Sequence, residues 1–286
     1  MRYVSSDEDN ARWDGFPFRD GDIVISTRSK SGTTWMQMIC ALLIFRTPDL
    51  PAPLSILSPW LDWLIVPRDE VYARLGAQAH RRFIKTHTPL DGIPLDPRAT
   101  YIVVARHPLD MAVSLFHQGA NLNRERMAEL TDNPAPATVA ERRTTVEALR
   151  RWIDRDADPA DALDSLPGVL WHLSDAWRRR DDPNILLVHY ADLSADLAGE
   201  MTRIAERLRL DPPTPELVEA AGFAHMRARA QDLAPDPAGI LKSTAAFFRR
   251  GGSGAGRELL TGAEYAHYLR RAATLAPPDL LAWLHR

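Results

Sequence analysis

The sequence predicts an α/β fold: one domain over residues 1–286, in which a central parallel sheet is flanked by helices. Three observations predict it. Four short apolar runs look like buried strands, helical spacing of apolar residues separates them, and a polar loop joins the first run to the first helix. Strands that alternate with helices form parallel sheets, whose ligands gather at the carboxyl ends of the strands.

Taken in order, Asp22 to Ser26 is apolar and β-branched, and Thr33 to Phe45 then shows helix-length apolar spacing with good helix formers. A proline-rich stretch from Pro48 to Pro67 holds Trp60 and Trp63. The next strands are Arg82 to Thr86 and Tyr101 to Ala105. A helix from Pro108 to His117 follows, with proline in its first turn, where the missing N–H costs nothing. Gly119 to Pro136 reads as a polar, mobile excursion. Leu166 to Arg180 is an amphipathic helix, Ile185 to His189 the fourth strand and Leu193 to Leu208 another amphipathic helix. "GGSGAG", Gly251 to Gly256, is glycine-dense enough for a flexible loop. There is no internal repeat.

With 286 residues, 45 % of them hydrophobic, the chain can bury a sizeable core, and a net charge of -3 argues against a nucleic-acid binder or a polybasic membrane segment. The N-terminus lacks the apolar core of a secretory signal. The longest apolar run, Met36 to Phe45, is too short to span a bilayer, so a cytoplasmic protein is expected. Cys40 is the only cysteine and reads as a small core residue. Of the 35 basic residues only Lys30, Lys85 and Lys242 are lysine. Lysine offers a compact ammonium that can be aimed at one atom and can lend a proton, which the flat guanidinium does poorly.

The opening loop, "TRSKSGTT", sits where a phosphate cradle belongs. A nucleotide triphosphatase would carry lysine directly after the second glycine and a hydroxyl to hold magnesium. Here Thr27 stands at the first glycine position, Thr33 follows Gly32, and Lys30 lies two positions before that glycine. Backbone N–H groups from Ser31 to Thr34 could still bind an anion through unpaired donors and the helix dipole. Taken alone, the loop serves equally well as a simple helix cap.

Four segments in order, "TRSKSGTTW", "FIKTHTPL", "YIVVARHPLDMAVSLFH" and "FFRRGGSGAGRELLT", resemble the sulfonate-donor signatures of cytosolic sulfotransferases, over most of the chain from Gly15 to Thr261. The resemblance implies a P-loop-like three-layer fold and a 3′-phosphoadenosine 5′-phosphosulfate (PAPS) donor, with 3′-phosphoadenosine 5′-phosphate (PAP) as product and no metal. It implies that Lys30, Ser31, Gly32, Thr33, Thr34 and Trp35 grip the phosphosulfate, with Trp35 near the adenine. Arg106 and Ser114 match the 3′-phosphate pair. Arg249, Arg250 and Gly251 match a second clamp on that phosphate, and Tyr190 and Phe223 match adenine contacts. His87 matches the catalytic base and Lys85 the lysine beside it.

The chemistry of these residues agrees with that reading. A donor with several negative charges in a small volume needs converging cations, and bidentate arginine suits a terminal phosphate. Residues two apart in a strand share a face, so Lys85 and His87 would act together. His87 would take the acceptor's proton, Lys30 would stabilise the departing bridging oxygen, and Lys85 would offset charge on the sulfuryl oxygens. His107, next to Arg106, reads as positional.

Some positions depart from the family pattern. Arg28-Ser29 replaces its Tyr-Pro, Gly254 to Glu258 replaces its GDWKN, and its KxxxTVxxxE dimer motif survives only as Arg257 and Thr261, so the oligomeric state stays open. Phe16, Phe18, Trp60, Trp63, Tyr72 and Phe116 are candidate walls for a small, apolar acceptor bearing a hydroxyl or amine. The alternatives are a P-loop kinase with an unusual loop and a non-catalytic nucleotide-binding protein.

Overall fold

The structure is a computed structural model, and residues 1–131, 144–234, 236 and 238–286 are described. β1 (Ile23–Ser26), β2 (Phe83–Thr86), β3 (Thr100–Ala105) and β4 (Ile185–His189) form one sheet in the order β2-β1-β3-β4. All three pairings are parallel, with Ile25 opposite Lys85 on one side and Ile102 on the other. The chain leaves β1 toward β2 and then crosses to β3, so the carboxyl end of β1 lies at a topological switch point, where an open parallel sheet forms a crevice.

Both faces of the sheet are covered, which is why the strands read as continuous apolar runs rather than alternating ones. Val24, Ile84, Tyr101, Val103 and Ala105 pack on one side against Pro108–Asn121, Leu166–Arg178 and the C-terminal helices Gly262–Ala273 and Pro278–Leu284. Ile23, Ile25, Phe83, Ile102, Val104 and Val188 face the other side, against helix α1 (Thr33–Phe45) and Leu197–Leu208. This is the expected three-layer arrangement. Each fully buried Leu or Ile contributes about 1.5–3 kcal/mol. Cys40, fully buried on α1, is the small core residue it was expected to be.

At the opposite end of the strands from the crevice, Asp22 and Arg82 form an ion pair, 1 % and 2 % exposed. Arg82 Nε donates to Asp22 Oδ1 at 2.8 Å, Arg82 Nη2 reaches Asp22 Oδ2 and also donates to the Pro17 carbonyl at 2.8 Å, and Asp22 Oδ2 accepts the Arg19 N–H at 2.8 Å. The pair fastens the start of β1 to the start of β2.

Two expectations need correction. The polar stretch from Gly119 continues the helix to Asn121 and then forms Arg124–Thr131; residues 132–136 of that stretch lie outside the described residues. Its polar side chains are used as ties: Asn121 Nδ2 donates to the Ser243 carbonyl at 2.9 Å, and Asn123 Oδ1 accepts the Arg126 N–H at 3.1 Å. The helix expected over Leu193 to Leu208 is two helices, Tyr190–Ala195 and Leu197–Leu208. Asp196 leaves helical geometry between them, and its side chain caps the second by accepting the Gly199 N–H at 2.9 Å.

Among the described residues no helix is long and apolar enough to cross a membrane. The tryptophan-bearing stretch lies along the edge of β2: Lys85 N–H donates to the Pro59 carbonyl at 3.0 Å, and the Leu61 N–H donates to the Lys85 carbonyl at 3.2 Å. The N-terminal segment adds to this edge through a bridge between Glu8 and Trp63.

Candidate active site

The carboxyl ends of the strands open into one cavity of about 760 Å³. Lys30, Gly32, Thr33, Thr34, Trp35, Lys85, His87, Arg106, Ser114, Tyr190, Phe223, Arg249, Arg250 and Gly251 all line it. Ser31 does not. It is buried, and its N–H turns back to the Arg28 carbonyl at 3.1 Å.

At the cationic end, two residues with positive φ, Lys30 (63°) and Gly32 (111°), fold the loop around the start of α1. A Cβ on Gly32 would lie 3.1 Å from the Tyr190 ring and 3.4 Å from Val104, so both space and backbone geometry require glycine here. Gly32 caps α1 without a side chain, leaving the first-turn N–H groups to meet a ligand in the cavity. Lys30 Nζ lies 3.7 Å over the Phe247 ring and 3.4 Å from Gln118 Oε1. Burial, reinforced by Arg106, Lys85 and Arg249, brings the Lys30 ammonium down to about 7.

Arg106 locks this end together. Its Nη1 donates to the Lys30 carbonyl at 3.1 Å, its Nη2 to the Gly252 carbonyl at 2.8 Å, and its guanidinium stacks 4.2 Å over the Tyr190 ring. Its Nε is buried with no partner among the described residues, a donor left for a ligand. Trp35 meets Tyr190 edge-on at 5.1 Å and fixes its own indole by donating to the Ala221 carbonyl at 2.8 Å. Gly251 lies so close to Phe223 that a Cβ would come within 2.4 Å of the ring. Arg249 and Arg250 stand exposed on the rim, and Arg250 pairs with Glu258 at 3.2 Å.

The turn carrying them is not free along its length. Asp110, 2 % exposed, accepts the Gly254 N–H and the Gly256 N–H, each at 2.8 Å. Sequence reading missed this residue because its partners lie 144 and 146 positions away. The "GGSGAG" loop, expected to be flexible, is thus anchored over its second half. Gly256 is required by packing, since a Cβ there would lie 2.5 Å from the Leu109 backbone.

At the other end, His87 Nδ1 lies against the Thr27 carbonyl. A carbonyl only accepts, so Nδ1 carries the proton and Nε2 keeps its lone pair. Burial, Lys85 and Arg28 hold this histidine well below its ordinary range, so it is neutral at pH 7. Lys85 Nζ sits 3.7 Å over the Trp60 ring, and His87 meets the same ring edge-on at 4.6 Å. Trp63 stacks on Trp60 at 5.2 Å and 7°, so the Lys85 ammonium occupies the opposite face. Burial lowers Lys85 to about 8, with Glu8 and Asp62 working against the shift. Asp62 is fully buried and accepts the Thr86 and Thr88 hydroxyls at 2.6 and 2.5 Å.

Arg28, the departure noted in the loop, is 4 % exposed. Its Nη2 and Nε donate to Asp164 Oδ1 at 2.7 and 3.2 Å, and its Nη1 donates to the His87 carbonyl. It is a strut between the cavity wall and the backbone of the histidine. Of the six aromatic wall candidates, only Trp60 and Trp63 line the cavity. Phe16 and Phe18 pack with Trp13 in the core, Tyr72 packs edge-on against Phe16, and Phe116 lies outside the lining. His107 is positional as expected: its Nδ1 accepts the Leu109 N–H and caps the helix Pro108–Asn121.

A three-layer parallel fold with an anion cradle at its switch point and a neutral histidine beside a lysine in the same cavity describes a group-transfer enzyme that uses a polyanionic donor. The chain belongs to the sulfotransferase family: the model of the sulfotransferase domain matches residues 20–271. A glycolipid sulfotransferase of Mycobacterium bovis is 46 % identical, the match covering 99 % of this chain and 93 % of the relative. Sulfotransferase 1A1 of Bos taurus is 27 % identical over 88 % of this chain and 83 % of its own length. Among solved structures, a mouse sulfotransferase complexed with PAP superposes with a TM-score of 0.68 at 21 % identity, over 96 % of this chain and 92 % of that one.

Proposed function

We propose that the protein moves a sulfuryl group from PAPS to a hydroxyl on the head of an amphiphilic acceptor, with His87 as base. The reading rests above all on one observation: Lys30, Arg106, Arg249, Lys85 and His87, spread over more than 200 positions of sequence, line a single cavity. The residues present fit the donor. The unpartnered Arg106 Nε and the N–H groups at the start of α1 are donors without acceptors, and Tyr190, Trp35 and Phe223 supply flat apolar surfaces for a purine. Ser114, on the helix after β3, faces the same space.

Bound PAPS supplies a sulfuryl group on a good leaving oxygen. Lys30, recharged by the donor's anionic field, neutralises that oxygen as it departs; a guanidinium could not present one compact charge there. Lys85 offsets charge on the sulfuryl oxygens. His87 Nε2 takes the proton of the attacking hydroxyl, and the Thr27 carbonyl holds the ring in the tautomer that leaves this nitrogen bare. Alignment and charge neutralisation are the main requirements of such a transfer.

For the acceptor, support comes from the 46 % identical glycolipid sulfotransferase and from the cavity wall, where Leu54, Ile56, Trp60, Trp63 and Val66 offer an apolar surface for a lipid body. The test is His87→Ala. Turnover is expected to fall at least about 100-fold, while PAP still raises the melting temperature as in the wild type. Turnover within a few fold of wild type removes His87 as base. Stabilisation by ATP with magnesium, and not by PAP, would favour the kinase reading instead.

A further inference from the structure

The cavity is electrically divided. Lys30, Arg106, Arg249 and Arg250 line it around the start of α1, while Asp7, Glu8, Asp161 and Asp164 line it together with Arg28 and the Arg74–Glu70 ion pair. A donor with several negative charges belongs to the first end, so the acidic end faces whatever accepts the sulfuryl group. Arg28 lies among these acidic residues, with its guanidinium committed to Asp164 and to the His87 carbonyl.

Glu8 is the distinctive member. Its backbone is fixed twice, by the bridge to Trp63 and by a turn in which the Ser5 N–H donates to the Glu8 carbonyl at 2.8 Å and the Glu8 N–H to Ser5 Oγ at 3.0 Å. Trp63 stacks on Trp60, and Trp60 carries Lys85 and touches His87. Glu8 is thereby held one ring stack away from the reacting centre, close enough for its charge to act on both Lys85 and Arg28. Among the described residues its carboxyl group makes no hydrogen bond and no ion pair. It is half-buried and open to water, so an acceptor that displaces this water must supply a donor in its place. Burial acts on it accordingly, raising its proton affinity against the pull of Arg28.

We propose that Glu8 is an acceptor-specificity residue: its carboxyl group takes a hydrogen bond from a hydroxyl next to the one that is sulfated, so the site selects a polyol head group over one that lacks that neighbouring hydroxyl. The proposal rests on the transfer reading above and deepens it. A cationic head group is disfavoured because it would have to settle beside the Lys85 ammonium. Sites built to hydrogen-bond a hydroxyl discriminate strongly against analogues that lack it, since the buried group is then left unpaired.

The experiment compares octyl glucoside, 1-octanol and octylamine as acceptors at saturating PAPS, with wild type, Glu8→Ala and Glu8→Gln, and PAP-induced thermal shift as the control for an intact donor site. Wild type is expected to favour the glucoside over octanol by about tenfold or more in kcat/KM, and Glu8→Ala to erase most of that ratio. Glu8→Gln keeps a hydrogen-bonding group, so it retains most of that ratio. An unchanged glucoside-to-octanol ratio in Glu8→Ala, or octylamine as the preferred wild-type acceptor, overturns the polyol assignment. A ratio lost as completely in Glu8→Gln as in Glu8→Ala overturns the hydrogen-bonding role. A wild-type protein that binds no PAP and sulfates none of the three overturns the transfer reading itself, which is a different result from activity without discrimination.

Discussion

Replacing Asp110 with asparagine tests whether one buried carboxylate sets the affinity for the donor. Asp110 accepts two backbone N–H groups, those of Gly254 and Gly256, at 2.8 Å each, and Arg106, four residues earlier, donates to the Gly252 carbonyl at 2.8 Å. The turn that presents Arg249, Arg250 and Gly251 is therefore held from a single motif after β3. In Asp110→Asn the amide oxygen keeps one of the two N–H groups, and the amide nitrogen meets the other donor to donor. Losing a charge-assisted hydrogen bond costs about 1.5–3 kcal/mol. If that cost falls on the turn, its anchored conformation becomes less populated, and donor affinity drops about ten- to a hundredfold. Calorimetric titration with PAP reads the affinity, urea denaturation reads any global loss, and acceptor KM at saturating PAPS reads the other end of the cavity. The expected pattern is weaker PAP binding with acceptor KM changed less than about threefold. A PAP affinity within twofold of wild type in a folded variant refutes the reasoning, as does a loss that appears only in acceptor KM.

Two further outcomes are expected. Lys30 is held near 7 in the empty cavity by burial and by Arg106, Lys85 and Arg249, so at pH 8 it is mostly the neutral amine; a bound polyanion raises it, and PAP binding should take up close to one proton at pH 8 and none through this group at pH 6. Calorimetry in buffers of different ionisation enthalpy measures the uptake, which Lys30→Met should remove; no uptake by wild type at pH 8 contradicts the assignment. Arg82→Met leaves Asp22 buried without its counter-ion and should lower unfolding free energy by about 3–5 kcal/mol in urea denaturation, whereas a loss under about 1 kcal/mol would show that Asp22 finds water or another partner.

The strands could be read from sequence because the sheet is covered on both faces, which turns each strand into an apolar run such as Tyr101 to Ala105. What could not be read depended on which backbone lies beside which. The break at Asp196 comes from one side chain capping the next helix, and a periodicity that continues across it hides the break. The proposed donor cradle could be read because Lys30 and Gly32 to Trp35 are nearly contiguous, and Arg106, His87 and Gly251 belong to recognisable segments. Glu8, Asp62 and Asp110 gave no such signal: each gains its place only when the stretch around Trp60 runs along β2 or the turn at Gly254 returns to the helix after β3. Aromatic residue type also says little, since Phe16 and Trp60 are equally apolar in sequence. Only the edge of β2, which Trp60 lines and Phe16 does not, separates a cavity wall from core.

The depressed basicity of His87 looks at first like a handicap for a base, yet its causes point the other way. Burial and the cations Lys85 and Arg28 keep the ring neutral in the empty cavity, so the lone pair on Nε2 is available throughout the neutral range. A polyanion settling among Lys30, Arg106 and Arg249 adds negative charge to the same cavity, and negative charge nearby raises the affinity of an imidazole for a proton. On this account His87 is a weak base without the donor and a stronger one with it, so proton abstraction from an acceptor is coupled to occupancy of the cationic end. The same calorimetry separates the two groups: uptake on the acid side of neutrality that survives in Lys30→Met and disappears in His87→Ala belongs to the histidine. If no such uptake remains, donor binding does not recharge the base, and the division of the cavity serves binding alone.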